Sequence, residues 1–358
     1  RVLRNILKLK FSNDDISAYI QVVKRFNPDI ITVFGTEGRF GLIASSTSVP
    51  VIIHIQGIVN SCLFNWYPPG ISRKNFNACF DMEWFLHNTG PRNDEDKFIK
   101  SAERELKIMG ANSYFMGRTE WDREIVSLLA PQAKYYHCNE ILRPEFYSAK
   151  KWKPKSRDRI VIISILSDVM YKGIDLVFKS AKVLKSFSSI DFQWKIIGLS
   201  SESGLIRFFE KHLGILSVAH NIHLQGRMGT SELIDELLDA DMYIHTSYID
   251  NSPNSLCEAQ YLGVPVIACD VGGISTLVHD DSDGVLVPTN DPYSLAQKII
   301  IIAGNKSIAS RYGSAGMENA VKRHDIDNIF DNLTSIYHDV LITNNNKQSI
   351  FEDSDKYK

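Results

Sequence analysis

The chain of 358 residues is poor in the features that mark membrane-spanning, secreted and nucleic-acid-binding proteins. No apolar run approaches the roughly 18 residues that a helix needs to cross a bilayer, and no secretory signal is present. Lys and Arg number 40 against 42 Asp and Glu, so the net charge of -2 argues against nucleic acid as a main partner. No G-x-G-x-x-G sequence follows an apolar run, which argues against a dinucleotide-dependent oxidoreductase.

Cysteine is also scarce, and its spacing fits no metal site. The five cysteines are an odd number without metal-type spacing: Cys62, Cys79, Cys138, Cys257 and Cys269. They indicate reduced thiols and therefore a cytoplasmic protein. Residues 1–150 carry 19 Lys and Arg against 16 Asp and Glu, a mild excess that allows peripheral contact with the anionic inner face of the cell membrane.

What the chain has in quantity is alternation between apolar strands and amphipathic helices. Hydrophobic content of 44% and charged content of 23% describe a globular protein, and the length suits two domains. Sequential strand–helix units with short connections predict an α/β fold with two doubly wound, Rossmann-like domains. We predict an N-terminal domain over 1–147, a basic linker over 148–159, a second domain over 160–324, a helix over 325–343 and a disordered tail over 344–358. Residues 61–93 lack periodicity and predict a loop or short helices over a cleft.

The most informative stretch is 248–273, which reads YIDNSPNSLCEAQYLGVPVIACDVGG. Pro253 suits the first position of a helix, where its missing N–H costs nothing, and Ser252 or Asn254 suits the cap. Gly263 ends the helix, after which VPVIACD predicts a buried parallel strand. The stretch therefore predicts a helix N-terminus at the edge of a sheet.

Two carboxylates, Asp250 and Glu258, lie eight positions apart around that helix start. The N–H groups and the positive dipole end of a helix N-terminus attract phosphate. A carboxylate suits sugar hydroxyls, since each hydrogen bond to a charged group contributes about 1.5–3 kcal/mol. Phosphates, a ribose and a second carboxylate together indicate a nucleotide-linked sugar.

The ordered run resembles the donor-site motif of glycosyltransferase family 4. That motif is an acidic residue, seven others and Glu, then A-x-x-x-G-x-P-V-I-A and a Gly-Gly turn. Its positions are held here by Asp250, Glu258, Ala259, Gly263, Pro265, Gly272 and Gly273. The family's first acid is more often Glu. The resemblance implies a retaining enzyme with the GT-B fold, in which two Rossmann-like domains face across a cleft and the last helix crosses back to the first domain. We find no opening strand and Gly-rich loop of the family kind, so we expect an N-terminally truncated member.

The resemblance also implies roles for residues on the donor side. Lys172 matches the K-G position whose lysine neutralises the diphosphate, Asp250 contacts the transferred sugar, and Glu258 holds the ribose hydroxyls. Backbone groups at the helix start and a glycine at a strand end, with a neighbouring arginine, are the further donor-binding candidates: Gly226, Arg227, Asn254, Ser255 and Leu256. Arg227 is proposed to supply the second positive charge, because the family's G-R pair before the lysine is absent. Nothing in the sequence distinguishes uracil from guanine or adenine.

On the acceptor side, the proline of VPVIIHIQG aligns Gln56 with a family histidine that touches the donor sugar. His54 lies two residues earlier, on the same face of the strand, and is either a ligand or a hydrogen-bonded core residue. Glu37 and Arg118 follow other predicted strands. Glu37 is a candidate acceptor contact and Arg118 a candidate contact to an acceptor phosphate or to the donor, and the alternative for both is an interdomain salt bridge.

These residues predict a retaining glycosyltransferase that moves a sugar from a nucleoside-diphosphate sugar to a glycan or lipid-linked glycan hydroxyl, in surface polysaccharide biosynthesis. We expect no cofactor and no metal, because the lysine and the helix dipole supply the positive charge. The alternatives are a non-catalytic glycosyltransferase-like module, or a nucleotide-sugar epimerase or phosphorylase on the same fold. Asp for Glu at position 250, Gln56 for histidine and the missing arginine favour the non-catalytic module.

Overall fold

The computed structural model describes residues 15–78 and 92–355, except for the side chains of 92–94 and 345–355. Residues 1–14, 79–91 and 356–358 lie outside the description, and with them Cys79, part of region 61–93 and the expected start of the first domain. The strands are β1 Ile31–Phe34, β2 Val51–His54, β3 Tyr114–Gly117, β4 Lys134–His137, β5 Ile160–Ile165, β6 Phe192–Ile197, β7 Ile222–Gly226, β8 Met242–His245, β9 Val266–Cys269 and β10 Val285–Val287.

Helices connect almost all of these strands, as the sequence predicts. They are α1 Ser17–Phe26, α2 Val59–Phe64, α3 Arg73–Ala78, α4 Arg92–Ala111, α5 Glu120–Leu129, α6 Pro144–Ser148, α7 Ile174–Phe187, α8 Gly204–Leu213, α9 Thr230–Asp239, α10 Asn254–Leu262, α11 Ile274–Leu277, α12 Pro292–Gly304, α13 Lys306–Arg323 and α14 Ile326–Asp355. Short 3-10 helices cover Phe40–Ser46, Met170–Lys172 and Val218–His220. Thr119 caps α5 and Asp291 caps α12, each through its side chain, as capping residues should.

The chain divides into two compact units. Unit 1 comprises residues 1–60, 97–140 and 325–358, and unit 2 comprises 61–96 and 141–324. The predicted boundary at residue 147 therefore differs from the structure, because 61–96 and 141–147 belong with the second unit. The aromatic residues of region 61–93 account for part of this, since Trp66 packs on Tyr171 and Phe76 on Phe208 within unit 2.

Unit 1 is built on a four-stranded parallel sheet in the order β1-β2-β3-β4. Neighbouring residues of a strand point to opposite faces, and both faces are covered. Ile53 and Phe115 lie in a core cluster with Ile108 of α4. Ile52 and Tyr114 lie in a second cluster with Val340 of α14.

The last helix therefore belongs to the first unit. Thr32 donates to the Tyr337 hydroxyl at 2.9 Å, and the Tyr136 hydroxyl donates to Asp339 at 2.5 Å. Helix α14 continues to Asp355, beyond the predicted end of the helix at residue 343. A helix that is already nucleated and packed gains a backbone hydrogen bond for each residue added, so polar residues can extend it.

Unit 2 contains a six-stranded parallel sheet in the order β10-β9-β8-β5-β6-β7. The strand order reverses between β5 and β8, the central neighbouring pair, so this sheet is doubly wound. In open parallel sheets, ligands bind outside the carboxyl ends of the strands at such a reversal. The topology of unit 2 thus singles out the loops that follow β5 and β8.

The predicted linker 148–159 has no regular structure between α6 and β5, but it is not a loose connection. Trp152 donates from its backbone N–H to Leu262 at 2.7 Å and from its indole to Ala240 at 2.6 Å. Arg157 pairs with Asp241 at 2.8 Å. These contacts fix the segment on unit 2, because a partly buried, hydrogen-bonded tryptophan and a paired arginine hold an irregular backbone in place.

None of the described helices combines the length and the apolar character that crossing a membrane requires. The described cysteines Cys62, Cys138, Cys257 and Cys269 form no disulfide among themselves.

Candidate functional site

Lys172 and Asp250, the predicted cation and first carboxylate, lie at the reversal of the unit 2 sheet. Lys172 ends the 3-10 helix after β5, and Asp250 lies in the loop after β8. The Lys172 Nζ and the Asp250 Oδ2 are 2.7 Å apart. The structure thus brings together two residues that are 78 positions apart in the sequence.

Gly173 makes this approach possible. Its φ of +72° is left-handed, and a Cβ at this position would lie 1.9 Å from the carbonyl oxygen of Thr246. Only glycine lets the two loops come so close. The Thr246 hydroxyl donates to the Lys172 carbonyl at 3.0 Å, and the Tyr248 N–H donates to the Tyr171 carbonyl at 2.8 Å. The glycine of the K-G pair therefore docks the lysine loop on the loop after β8.

Asp250 is held by donors from several sides. Besides Lys172, its Oδ2 accepts from His245 Nε2 at 3.0 Å and from the Ser247 hydroxyl at 3.1 Å. Its Oδ1 accepts from the backbone N–H of Asn251 at 3.2 Å. Burial acts to raise the pKa of Asp250, but Lys172 and His245 outweigh it and hold that pKa well below its usual range. The carboxylate is therefore ionised and acts only as an acceptor.

The Gly-Gly turn of the motif also positions Asp250, through its backbone. Gly273 donates its N–H to the Asp250 carbonyl at 3.0 Å. Gly272 has a φ of +51°, and a Cβ there would lie 2.1 Å from the same oxygen. The Gly-Gly turn, which the sequence marks only as two adjacent glycines, therefore holds the backbone of Asp250 in place.

Glu258, the second carboxylate, is buried on α10 and paired with an arginine that the sequence analysis did not select. Its two oxygens accept from Arg143 Nε and Nη2, each at 2.8 Å, in a bidentate pair. Arg143 Nη1 also donates to the Thr230 hydroxyl at 3.1 Å, and the guanidinium lies 5.1 Å from the Phe146 ring centroid. The hydrogen bonds to Glu258 raise the pKa of Arg143, against partial burial. Arg143 thus brings a second positive charge beside the Glu258 carboxylate.

The start of α10 differs in detail from the prediction. Pro253 is the cap residue rather than the first helical residue, and no side chain caps the helix, so Ser252 and Asn254 do not have that role. Pro253 has an extended ψ of 124°, which places it just outside the helix. The N–H of Leu256 donates to the Pro253 carbonyl at 3.1 Å, so a ligand would compete with this bond for the predicted Leu256 donor. The half-buried Ser255 hydroxyl contacts the Tyr243 hydroxyl at 2.9 Å.

Gly226 and Arg227 lie at the end of β7, two strands from β5. Gly226 has a left-handed φ of +69°, donates to the Leu199 carbonyl at 2.8 Å and accepts from Gly198 at 2.6 Å. Arg227 is exposed. Within residues 15–78 and 92–355, no hydrogen bond or ion pair joins Arg227 to Lys172 or Asp250. Its proposed part in neutralising the diphosphate stays a prediction.

In unit 1, three of the acceptor-side candidates meet at one carboxylate, Glu140. Arg118 Nη1 pairs with Glu140 Oε2 at 2.9 Å, His54 Nδ1 lies 3.4 Å from Oε1, and the Gln56 amide donates to Oε1. His54 is 3% exposed, and its Nε2 has no hydrogen-bond partner among the described residues. Burial lowers the pKa of His54, although Glu140 opposes the shift, so the ring is neutral near pH 7. The cluster combines one cation, one anion and neutral polar groups.

Glu37, the fourth candidate, lies near this cluster on the loop after β1. Its Oε1 is 3.8 Å from the position that a Cβ on Gly57 would take. Its backbone carbonyl accepts from Arg104 at 3.0 Å. Burial raises the pKa of Glu37, and the nearby charge of Glu105 adds to the shift. The structure gives the positions of all four candidates, and their roles stay predictions.

Four polar residues at these sites were not anticipated: Tyr243, His245, Arg143 and Glu140. Tyr243 and His245 alternate with apolar residues along β8, a pattern that marks two polar side chains on one face of a buried strand. Arg143 directly precedes Pro144, the first residue of α6, and therefore lies next to a helix start. No comparable signal marks Glu140. In the described part of the chain, no three His, Cys, Asp or Glu side chains are arranged to hold a metal ion.

Comparison with known proteins places the best-matched part of the chain within unit 2. Residues 147–319 match the family model described as Glycosyl transferases group 1. The D-inositol 3-phosphate glycosyltransferase of Streptomyces bingchenggensis is 30% identical over 137 residues, 35% of this chain and 28% of the relative. The poly(ribitol-phosphate) alpha-N-acetylglucosaminyltransferase of Staphylococcus aureus is 25% identical over 169 residues, 47% of this chain and 33% of the relative. The chain thus matches about a third of the length of these curated relatives.

Solved structures extend the likeness to nearly the whole chain. Sucrose-phosphate synthase from Thermosynechococcus elongatus superposes with a TM-score of 0.70 at 15% identity, over 92% of this chain and 77% of that one. A mutant of S. aureus TarM, in complex with fondaparinux, alpha-GlcNAc-glycerol and UDP, gives 0.63 at 17% identity, over 89% and 58%. At these identities the likeness concerns the fold. The chain has the two Rossmann-like units of the GT-B fold, and the predicted fold class is confirmed.

Proposed function

We propose that this protein is a retaining, metal-independent glycosyltransferase that uses a nucleoside-diphosphate sugar as donor. The observation that carries the proposal is the Lys172–Asp250 pair at the carboxyl ends of β5 and β8, beside the N-terminus of α10. A cation, an ionised carboxylate and a helix N-terminus together match the charges and hydroxyls of such a donor. The match of residues 147–319 to glycosyl transferases of group 1 supports the same reading.

The chemistry requires stabilisation of a leaving group more than covalent help from the protein. When the bond between the sugar and the diphosphate breaks, negative charge develops on the diphosphate, and the Lys172 ammonium stabilises it. Because Lys172 is already held by Asp250 at 2.7 Å, the cation is oriented before the donor arrives. Asp250 is then available to accept a hydrogen bond from a sugar hydroxyl. The acceptor hydroxyl attacks from the side that the diphosphate leaves, and its proton passes to the departing phosphate oxygen.

Glu258 and Arg143 are proposed to serve the ribose and the phosphates together. A buried carboxylate with both oxygens on one guanidinium keeps lone pairs that can accept from the ribose hydroxyls. The Arg143 side chain is 40% exposed, so its guanidinium can also donate to a phosphate. In this proposal Arg143, rather than Arg227, supplies the second positive charge that the sequence pattern lacked.

For the acceptor we propose a hydroxyl of a glycan or lipid-linked glycan, in surface polysaccharide biosynthesis. The names of the curated relatives support this class, since they transfer sugars to an inositol phosphate and to a poly(ribitol phosphate). The donor base is a matter for experiment, with UDP the first candidate because the TarM complex contains it. Peripheral contact with the cell membrane stays a prediction of the sequence.

A non-catalytic binding module is the second candidate, because both carboxylates of the site are already engaged by cations. Lys172 occupies Asp250 and Arg143 occupies Glu258. A site that only binds nucleotide would keep these pairs intact. Turnover of the donor, rather than binding, separates the two candidates.

The first experiment is thermal unfolding with UDP, GDP and ADP and with their glucose and N-acetylglucosamine conjugates. A ligand at about 100 times its dissociation constant adds roughly 2.7 kcal/mol to the free energy of unfolding. We expect one base to stabilise the parent protein, and we expect Glu258→Ala and Lys172→Ala to abolish that shift. The exposed Glu202 and Lys182 provide matched controls, as Glu202→Ala and Lys182→Ala. A folded protein that none of the nucleotides stabilises would contradict the proposal.

The stabilising donor is then incubated with the protein and a glycan acceptor, and release of the nucleoside diphosphate is followed by chromatography. Release that Lys172→Ala abolishes supports the transferase, whereas binding without release supports the module. The anomeric configuration of the product, read by NMR, tests whether transfer is retaining. Activity that survives exhaustive chelation is expected, and its loss on chelation would refute metal-independence.

A further inference from the structure

A continuous chain of hydrogen bonds in unit 2 joins the start of α10 to the Lys172–Asp250 pair. The Ser255 hydroxyl contacts the Tyr243 hydroxyl at 2.9 Å, and Tyr243 contacts His245 Nδ1 at 3.2 Å. His245 Nε2 then contacts Asp250 Oδ2 at 3.0 Å, which Lys172 contacts at 2.7 Å. Tyr243 and His245 are both buried on β8, with 0% and 2% exposure. Water therefore has little access to the middle of the chain.

The donors and acceptors along this chain are not independent. Asp250 is ionised and can only accept, so His245 Nε2 must carry a hydrogen. If His245 is neutral, its Nδ1 is an acceptor and the Tyr243 hydroxyl donates to it. Tyr243 then accepts from Ser255, whose only hydrogen is used. In this state Ser255 offers nothing but lone pairs to a further partner.

Protonation of His245 reverses the direction of the chain. Nδ1 then donates to the Tyr243 oxygen, and the Tyr243 hydrogen turns toward Ser255. The Ser255 hydroxyl becomes an acceptor on its inner side, and its own hydrogen is released for an outer partner. One proton on a buried imidazole therefore decides whether Ser255 presents a donor or an acceptor at the start of α10.

We propose that His245 takes up a proton when a diphosphate binds at the start of α10, and that Tyr243 and Ser255 transmit this change to the ligand. The proposal rests on the proposed donor site. Phosphate oxygens are acceptors, so they favour the state in which Ser255 donates. The proton comes from solvent on binding and returns to solvent when the nucleoside diphosphate leaves. No bond other than those to hydrogen is made or broken.

Charged and neutral polar groups surround His245. Asp250 favours the protonated ring and Lys172 opposes it, while the Tyr243 phenol of β8 and the Ser255 hydroxyl are neutral. Glu258 and Cys257 of α10 lie near enough to affect Tyr243. Glu258 is paired with Arg143. The negative charge of a bound diphosphate favours the protonated form of a nearby imidazole.

The test is calorimetric titration of the full chain with UDP, GDP or ADP, whichever stabilises it, in two buffers of different ionisation enthalpy. The difference between the two observed enthalpies gives the number of protons taken up. Measurements are made above pH 7.5, because a terminal phosphate titrates near about 6 and would otherwise contribute. We expect net uptake in the parent, and an affinity that falls by up to about tenfold for each pH unit gained where one proton is linked.

Tyr243→Phe removes one hydroxyl from the chain and leaves every charge in place, so we expect it to abolish the uptake. Ser255→Ala removes the contact with the ligand and provides a second variant, should the buried Tyr243→Phe fail to fold. His279, whose side chain is 61% exposed and pairs with Asp283 at 2.7 Å, offers a matched control. His279→Gln is expected to take up as many protons as the parent.

The outcomes distinguish this inference from the proposed function. If a nucleotide binds without proton uptake, or if Tyr243→Phe and Ser255→Ala take up as many protons as the parent, the relay is refuted and the donor site stands. If none of the three nucleotides binds, the donor site and the relay fall together. Uptake that only the parent and His279→Gln show supports the relay.

Discussion

Gly173→Ala is expected to destabilise unit 2 by clearly more than the same change at Gly214. Both glycines are left-handed, with φ of +72° and +63°. A left-handed alanine costs about 1–2 kcal/mol. The lower entropy of its unfolded chain returns about 0.4–1 kcal/mol. Gly214 ends α8, and nothing lies within 4 Å of the position of an added Cβ. Gly214→Ala should therefore cost only about 0.5–1 kcal/mol.

At Gly173 the same conformational cost is joined by a collision. The added Cβ would lie 1.9 Å from the backbone carbonyl oxygen of Thr246, which cannot rotate away. Overpacking of this kind costs about 1–3 kcal/mol more, so the total reaches about 2–4 kcal/mol. For a unit of this size, each kcal/mol lowers the melting temperature by about 2–4 °C. The loops after β5 and β8 must also separate, which moves Lys172 away from Asp250.

Urea unfolding followed by circular dichroism measures both variants under the same conditions. The two glycines lie in the same unit, so the comparison holds even if the two units unfold separately. We also expect Gly173→Ala to lose the nucleotide-induced shift, while Gly214→Ala keeps it. Equal losses of stability in the two variants would show that close packing on Thr246 is not the reason for the glycine. Unchanged nucleotide binding in Gly173→Ala would refute the link from this glycine to the site.

Three further predictions concern contacts that each lie within a single unit. The pKa of Asp250 is held below its unfolded value of about 3.9, so its pairing stabilises the protein above that pH and the stabilisation is lost as the pH falls. In urea unfolding series, the stability gap between the parent and Asp250→Asn should therefore be larger at about pH 5 than below about pH 4, where it shrinks. Arg143→Met leaves the buried Glu258 without its bidentate partner and should lower the free energy of unfolding in urea by about 2 kcal/mol. This is less than the roughly 3–5 kcal/mol lost when a fully buried pair is broken, because the Arg143 side chain is 40% exposed. Arg143→Lys should recover part of the loss. Val340→Ala should cost unit 1 about 2 kcal/mol in the same assay, while the 61% exposed Ile342→Ala on the same helix should change stability by no more than about 0.5 kcal/mol.

Much of the fold could be predicted because its signals are local. Apolar stretches that alternate with amphipathic ones indicated strands and helices that the structure contains, and Gly263 ends α10 as predicted. The closeness of Lys172 and Asp250 could be predicted for a different reason. Both follow parallel strands, and carboxyl ends of parallel strands meet at one edge, so a motif on each predicts a shared site.

The residues that pair with the candidate residues of each unit could not be predicted from such signals. Arg143 reaches Glu258 across 115 positions, and Glu140 gathers His54, Gln56 and Arg118 from strands far apart in the chain. Such contacts depend on side-chain direction and loop path, which composition and periodicity do not specify. The predicted linker 148–159 shows the same limit, because its polar composition gives no sign that Trp152 and Arg157 anchor it on unit 2.

The return of α14 to unit 1 has a consequence for the order in which the protein is completed during synthesis. The strands of unit 1 leave the ribosome early, but one face of their sheet waits for Ile336 and Val340, which are made after the whole of unit 2. Until then, Ile52 and Tyr114 present an uncovered apolar face, the kind of surface that chaperones bind and that aggregates form on. The unit that begins first therefore matures last. Premature termination before Val340 would leave part of this face of the sheet at the other end of the sequence uncovered.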